Sequence, residues 1–113
     1  MIARIWHGRT DASKYESYSE FLRVTAIPDY KKTPGFQGLN FLRRISGKEA
    51  HFQLITYWQN LETIKNFAGD EIDKAKYYPE DQEFLLEFEE KVQHFELFAG
   101  WPAPATASFG PAQ

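Results

Sequence analysis

The hydrophobic pattern of this chain switches repeatedly between a two-residue and a 3.6-residue period, and that order constrains the fold more than any motif does. From Met1 to Gly8 the pattern alternates as in a strand, with Ile2, Arg4 and Trp6 on one face and Ala3, Ile5 and His7 on the other. Gly8 is expected to end it. Thr10-Asp11-Ala12-Ser13 then offers capping side chains for a helix from Ser13 to about Val24, on which Tyr15, Tyr18, Leu22 and Thr25 recur at helical spacing and Phe21 broadens the stripe. Pro28 is expected to close this helix, and Lys31 to Gly35 reads as a turn-rich loop.

Two strands follow, Leu39 to Ser46 and His51 to Trp58, joined by the short Gly47-Lys48-Glu49 link of a hairpin. Asn60 caps a second helix carrying Leu61, Ile64 and Ala68, with Ile72 and Ala75 placed to extend it past Gly69. Tyr77-Tyr78-Pro79 breaks the pattern. Glu80 to Glu90 is acidic yet holds Phe84, Leu85, Leu86 and Phe88, so it reads as a short helix or packed loop. Lys91 to Phe98 is the last strand.

The resulting order, βαββαβ, fits one α+β domain over residues 1–98: a four-stranded antiparallel sheet with both helices on one face, the ferredoxin-like arrangement. Right-handed crossovers are expected to set the first and third strands side by side and parallel. The uncovered face, expected to hold Ile2 and Trp6, would be buried by a homodimer packing sheet on sheet. Residues 99–113, uncharged and rich in Pro and Ala, read as a mobile tail with Trp101 and Phe109 as its only large anchors.

Composition excludes several classes of function. There is no Cys, so thiolate metal sites, iron–sulfur clusters, disulfides and Cys nucleophiles are out. A net charge of −3 gives no support to nucleic-acid binding or to a basic membrane patch. Neither a bilayer-length apolar run nor a signal-peptide pattern is present, which makes the cytosol the expected compartment. Glycine loops for nucleotide phosphates and a serine-hydrolase elbow are likewise missing. His7, His94 and Glu96 make only a weak two-histidine, one-carboxylate set, so no metal site is expected.

Aromatic residues make up 17% of the chain, more than a small core usually needs, and point to a pocket or an interface. With parallel central strands, His7 and Trp58 would share one end of the sheet, His94 would return to it, and His51 would lie at the other. Phe67, Tyr77 and Tyr78 would close an aromatic pocket between sheet and helices. In it, His7 is the candidate acid–base residue. Tyr77 and Tyr78 are candidate hydrogen-bonding groups, Trp58 and Phe67 candidate walls, Asn66 a candidate carbonyl-orienting group, and His94 a further candidate contact. Each also has an ordinary structural role open to it in packing or surface pairing.

Trp6-His7-Gly8, the Pro34-Gly35-Phe36 turn, Thr56-Tyr57-Trp58 and the Leu61–Phe67 helix together resemble the antibiotic biosynthesis monooxygenase domain, over residues 1–98. The resemblance implies a dimeric α+β barrel and a monooxygenase that joins a small aromatic or polyketide-like substrate to O2 without flavin, haem or metal. His7 would then be the base, Tyr77 a donor, and Trp58 and Phe67 the aromatic walls. A haem-degrading branch of the family uses an Asn on the first strand, a Trp on the second helix and a His ten residues later. Here those places hold Trp6-His7, Phe67 and Tyr77, so no haem, and no cofactor at all, is expected. A non-redox cyclase, lyase or isomerase using the same acid–base groups, and a non-catalytic dimeric binding protein, are the alternatives.

Overall fold

The computed structural model describes residues 1–102; Phe109 and most of the expected tail fall outside them. Strands β1 (Ile2–Asp11), β2 (Phe36–Ser46), β3 (Glu49–Trp58) and β4 (Gln93–Glu96) form one sheet in the order β2-β3-β1-β4. Every neighbouring pair is antiparallel. The fold is the ferredoxin-like α+β arrangement, but β1 and β3 run antiparallel, against expectation. The reason is topological: β2 returns from its crossover parallel to β1, and the hairpin then reverses the chain to lay β3 between them.

That reversal changes which residues meet. Ile2 pairs with Trp58, His7 with Gln53 and Arg9 with His51. Trp58 and His7 therefore lie at opposite ends of the sheet, and His51 lies beside His7. The faces are also exchanged. Trp6, Phe52, Leu54 and Trp58 are buried under the helices, whereas Ala3, Ile5 and His7 belong to the open face. Period-two alternation separates two faces but does not say which one the helices cover.

The helical crossover after β1 runs from Ala12 to Lys31 and passes through Pro28 rather than ending there. Helix α1 (Tyr15–Phe21) leads through a widened π-type turn at Leu22–Ala26 into α2 (Ile27–Lys31). Proline has no N–H and its ring crowds the carbonyl four residues back, so the chain widens ahead of it and continues. Gly8 does not end β1 either. A Cβ there would run into Trp6 Cη2, so glycine lets the indole lie across the strand.

Helix α3 (Leu61–Ala68) begins with a capping box: Thr63 N–H donates to Asn60 Oδ1 at 2.9 Å. It stops at Gly69, whose φ of +84° suits glycine, so Ile72 and Ala75 join no helix. They pack instead from an irregular stretch, in which Ala75 N–H donates to Glu90 O and Val92 N–H to Asp73 O. A 3-10 turn (Pro79–Glu83) and buried Leu85 continue this covering segment. β4 flanks β1 only from Ile2 to Ile5, while Leu86 N–H donates to Arg9 O farther along. His7 sits between those two stretches of paired edge.

Candidate functional site

The layer between sheet and helices is packed aromatic core. Tyr30 stacks on Phe67 with ring centres 4.3 Å apart, and Trp58, fully buried, meets Phe36, Tyr30 and Phe67. The Trp58 indole N–H is satisfied by Thr56 Oγ1 at 2.9 Å. The space left between Trp6, Tyr18, Tyr30, Tyr78 and Asp81 is about 10 Å3, room for roughly one water. The expected aromatic pocket is therefore filled by its own walls.

Most polar groups in this layer are tied to one another, while Arg4 Nε, Trp6 Nε1 and His94 Nε2 are buried without a partner among the described residues. The Tyr18 hydroxyl donates to Asp81 Oδ1 at 3.0 Å and the Tyr78 backbone N–H to Asp81 Oδ2 at 2.7 Å. Burial pushes the Asp81 carboxyl up from its ordinary pKa. Tyr78 donates its hydroxyl to Asp29 at 2.6 Å, and Lys76 bonds the same oxygen at 3.2 Å. Burial works to raise Asp29, but those two bonds and the Lys76 charge outweigh it and hold the carboxyl low. Arg4, 1% exposed, gives its guanidinium to the carbonyls of Ile72 and Lys74, and burial lowers its pKa. His94 lies opposite Arg4, with Nδ1 3.2 Å from Asp73; burial and the adjacent guanidinium hold its imidazole below the usual range.

These contacts place most of the substrate-binding candidates. Trp58, Phe67, Tyr78 and His94 all belong to the covered side, and they serve packing and internal hydrogen bonds there. Asn66 lies at the surface, donating to the Pro34 carbonyl at 2.9 Å and so tying α3 to the preceding turn.

His7 occupies a different setting, on the open face. Its Nδ1 lies 2.5 Å from Glu89 Oε2, and its Nε2 lies 3.3 Å from His51 Nδ1. His51 Nε2 is 3.6 Å from Glu49 Oε1, and Glu49 in turn accepts from Arg9 at 2.8 Å. Two imidazoles, their rings stacked with centres 5.6 Å apart, thus run between two carboxylates. Tyr77 joins from the other side: its hydroxyl donates to the Glu89 carbonyl, while its ring packs edge-on against Trp6 and Phe88. The two catalytic candidates, His7 and Tyr77, therefore meet through Glu89, a residue that sequence reasoning did not single out. Nothing local in the sequence marks Glu89; it is one of several acids between Glu80 and Glu90.

Two cavities share His7 and Gln53 as a common wall. One, of about 260 Å3, is bounded by His7, His51, Leu42, Arg44 and Gln53. The other, of about 440 Å3, is bounded by His7, Glu89, Lys91, Ile5 and Phe95. Both are open-sided; the larger is of the size small-molecule sites have, and the smaller falls just below it. Two imidazoles in contact, with a carboxylate at each end, are groups that can pass a proton along the chain and stabilise the charge that forms.

Searches of family descriptions and of curated proteins return no match. Among solved structures, the haem degrader MhuD from Mycobacterium tuberculosis, with two haems bound in its active site, aligns with a TM-score of 0.59. That alignment has 18% identity over 88% of this chain and 98% of MhuD. The chain shares MhuD's fold. A MhuD point mutant with two manganese protoporphyrin IX molecules per active site gives 0.56 and 17% identity, over 88% of this chain and 97% of the mutant.

The expectation that this protein uses no cofactor, haem included, is contradicted by these neighbours, which carry metal porphyrins in an active site on the same fold. Whether a porphyrin fits this chain is a separate matter of its own residues. Between sheet and helices about 10 Å3 is free beside Trp6 and Tyr30, and a separate cleft of about 160 Å3 between Ser19, Leu22, Ile27, Phe41 and Phe52 is below the roughly 300 Å3 at which small-molecule sites begin. His7 and His51 direct their nitrogens at one another and at carboxylates. His94 Nε2 is free but buried beside the Arg4 cation, a poor place for iron. As packed, the described residues do not fit a porphyrin. No helix among them is long and apolar enough to cross a membrane.

Proposed function

We propose that this protein is a small-molecule enzyme that moves a proton at His7, acting on a planar aromatic or polyketide-like substrate bound against the open face of the sheet. The observation that carries this reading is the Glu89–His7–His51–Glu49 chain set between two cavities. Glu89 accepts a hydrogen bond from His7 Nδ1–H, which fixes the tautomer and leaves Nε2 facing His51. A phenol or enol entering beside His51 would lose its proton to the imidazole pair, and Glu89 and Glu49 would balance the positive charge that forms. Tyr77 acts here as a positioning residue that holds Glu89 through its backbone carbonyl, rather than as a donor to substrate.

Oxygenation of the resulting electron-rich anion is the net reaction we favour, on the strength of the family resemblance and of a haem-degrading neighbour. A non-redox isomerase or cyclase is the second reading, favoured by a relay whose groups carry protons alone. A second copy of the chain, packed across the open face, would turn the two open-sided cavities into enclosed ones. Turnover of electron-rich quinols and naphthols, followed with and without oxygen, tests the proposal. We expect oxygen uptake that falls about 100-fold or more in His7→Gln. Conversion that persists under nitrogen selects the isomerase reading, and no conversion in either atmosphere overturns both.

A further inference from the structure

Four of the five arginines are held by partners. Arg4 bonds two backbone carbonyls, Arg9 pairs with Glu49 and Glu87, Arg23 with Glu20, and Arg43 with Glu16 and Ser19. Arg44 alone has no carboxylate or carbonyl partner among the described residues. Its place is specific: it pairs in register with His51, which in turn pairs with Arg9, so these side chains form one row across the open face. It also bounds the same cavity as His51 and His7, with Leu42 as the apolar wall. On the far side of His7, Lys91 bounds the larger cavity and likewise forms no ion pair among the described residues.

A chain of net charge −3 has carboxylates to spare, and it satisfies its other exposed arginines with them. Leaving the guanidinium unpaired beside the relay keeps a planar, permanently charged fork free for a ligand. That fork matches a carboxylate in two parallel hydrogen bonds. Arg9 is not available for this, since Glu49 and Glu87 already occupy it.

We infer that Arg44 anchors an anionic group of the substrate, which is therefore an aromatic acid: a ring bearing a carboxylate for Arg44 and a hydroxyl for the His51–His7 pair. The inference rests on the proposed site, and it adds the substrate's charge and orientation. Leu42 meets the ring, the carboxylate points toward β2, and the ionisable hydroxyl points toward β1. The same geometry disfavours neutral phenols, which leave the guanidinium in water and gain nothing from it.

The test compares 4-hydroxybenzoate with phenol as probes, by NMR titration of the full chain and of Arg44→Gln and Arg44→Lys. Arg44 is exposed on β2, so the variants retain the fold, which the spectra themselves verify. We expect 4-hydroxybenzoate to bind about tenfold or more tightly than phenol. Arg44→Gln should remove that advantage without changing phenol binding, and Arg44→Lys should restore part of it. Equal affinity for the two probes, an equal loss of both in Arg44→Gln, or no binding of either overturns the anchoring role. The catalytic reading is judged separately, by the His7→Gln turnover of uncharged quinols. Arg44-dependent binding with no His7-dependent turnover would leave an aromatic-acid site and remove the enzyme.

Discussion

The proposed relay gives Glu89 and Tyr77 different tasks around His7, and substitutions can separate them. Glu89→Gln keeps a hydrogen-bond acceptor at His7 but removes the charge that balances an imidazolium, so turnover is expected to fall about 100-fold with little change in substrate affinity. Tyr77→Phe loses only the bond that steadies the Glu89 backbone, and a loss of about tenfold is expected. Equal effects, measured as kcat against KM, would show that Tyr77 touches substrate. Gly8 presents a purely steric case. Gly8→Ala drives a Cβ into the Trp6 ring, and we expect about 2 kcal/mol of destabilisation in urea unfolding. At this scale the sequence singles out His7 and Tyr77 as candidates through their chemistry, and the structure joins both to Glu89. The sequence hides Glu89 and His51, because their roles come from a register that composition does not encode. A parallel β1–β3 pair would put His51 at the far end of the sheet; the antiparallel pair puts it beside His7.

The elements are legible where the pattern is local and obscure where packing decides. Alternation locates all four strands, and Gly47 in left-handed backbone (φ +62°) makes the tight link that the hairpin signal anticipates. Asn60 is recognisable as a cap because Thr63 answers it three residues on. Asn60→Ala should cost about 1 kcal/mol in thermal or urea unfolding, and a loss near zero would show that α3 is held by Phe67 and Ile64 alone. Pro28 and Gly8 mislead for the same reason. Each is a breaker by propensity, and each is accommodated by a tertiary feature that propensity does not contain: the widened turn at Leu22–Ala26, and the indole lying over the strand. The choice of covered face also escapes sequence reasoning. Ile5 and Trp6 both look like core residues, and only the helices settle which one is buried.

The whole molecule carries a dense set of buried phenols, and these set its response to alkali. Burial pushes Tyr30 and Tyr77 up to about 12, and raises Tyr18 and Tyr78 as well, the last two assisted by Asp81 and Asp29. A group whose folded pKa lies above its unfolded value of 10.0 contributes stability that is whole below pH 10 and is lost as the pH climbs through the folded pKa. Stability should therefore hold to about pH 10 and drop steeply between there and pH 12, by about 1.4 kcal/mol per pH unit for a buried phenol such as Tyr30. Tyr30→Phe should flatten that fall, as read by urea unfolding at successive pH values. An unchanged slope would mean that Tyr30 ionises without unfolding the core.

On the same scale, the open face carries Leu42 and Phe95, each about half exposed, beside its polar row. If this face meets a second copy, Phe95→Glu should shift light scattering from dimer to monomer mass, and an unaltered mass would move self-association elsewhere.

Which side of the sheet receives the substrate decides everything proposed for the relay. Histidine side-chain NMR with 2-naphthol as a planar phenol separates the two faces directly, because His7 and His51 report on the open one and His94 on the covered one. Shifts of the His7 and His51 imidazoles with His94 unmoved are the result expected here; shifts confined to His94, with the other two silent, would contradict it.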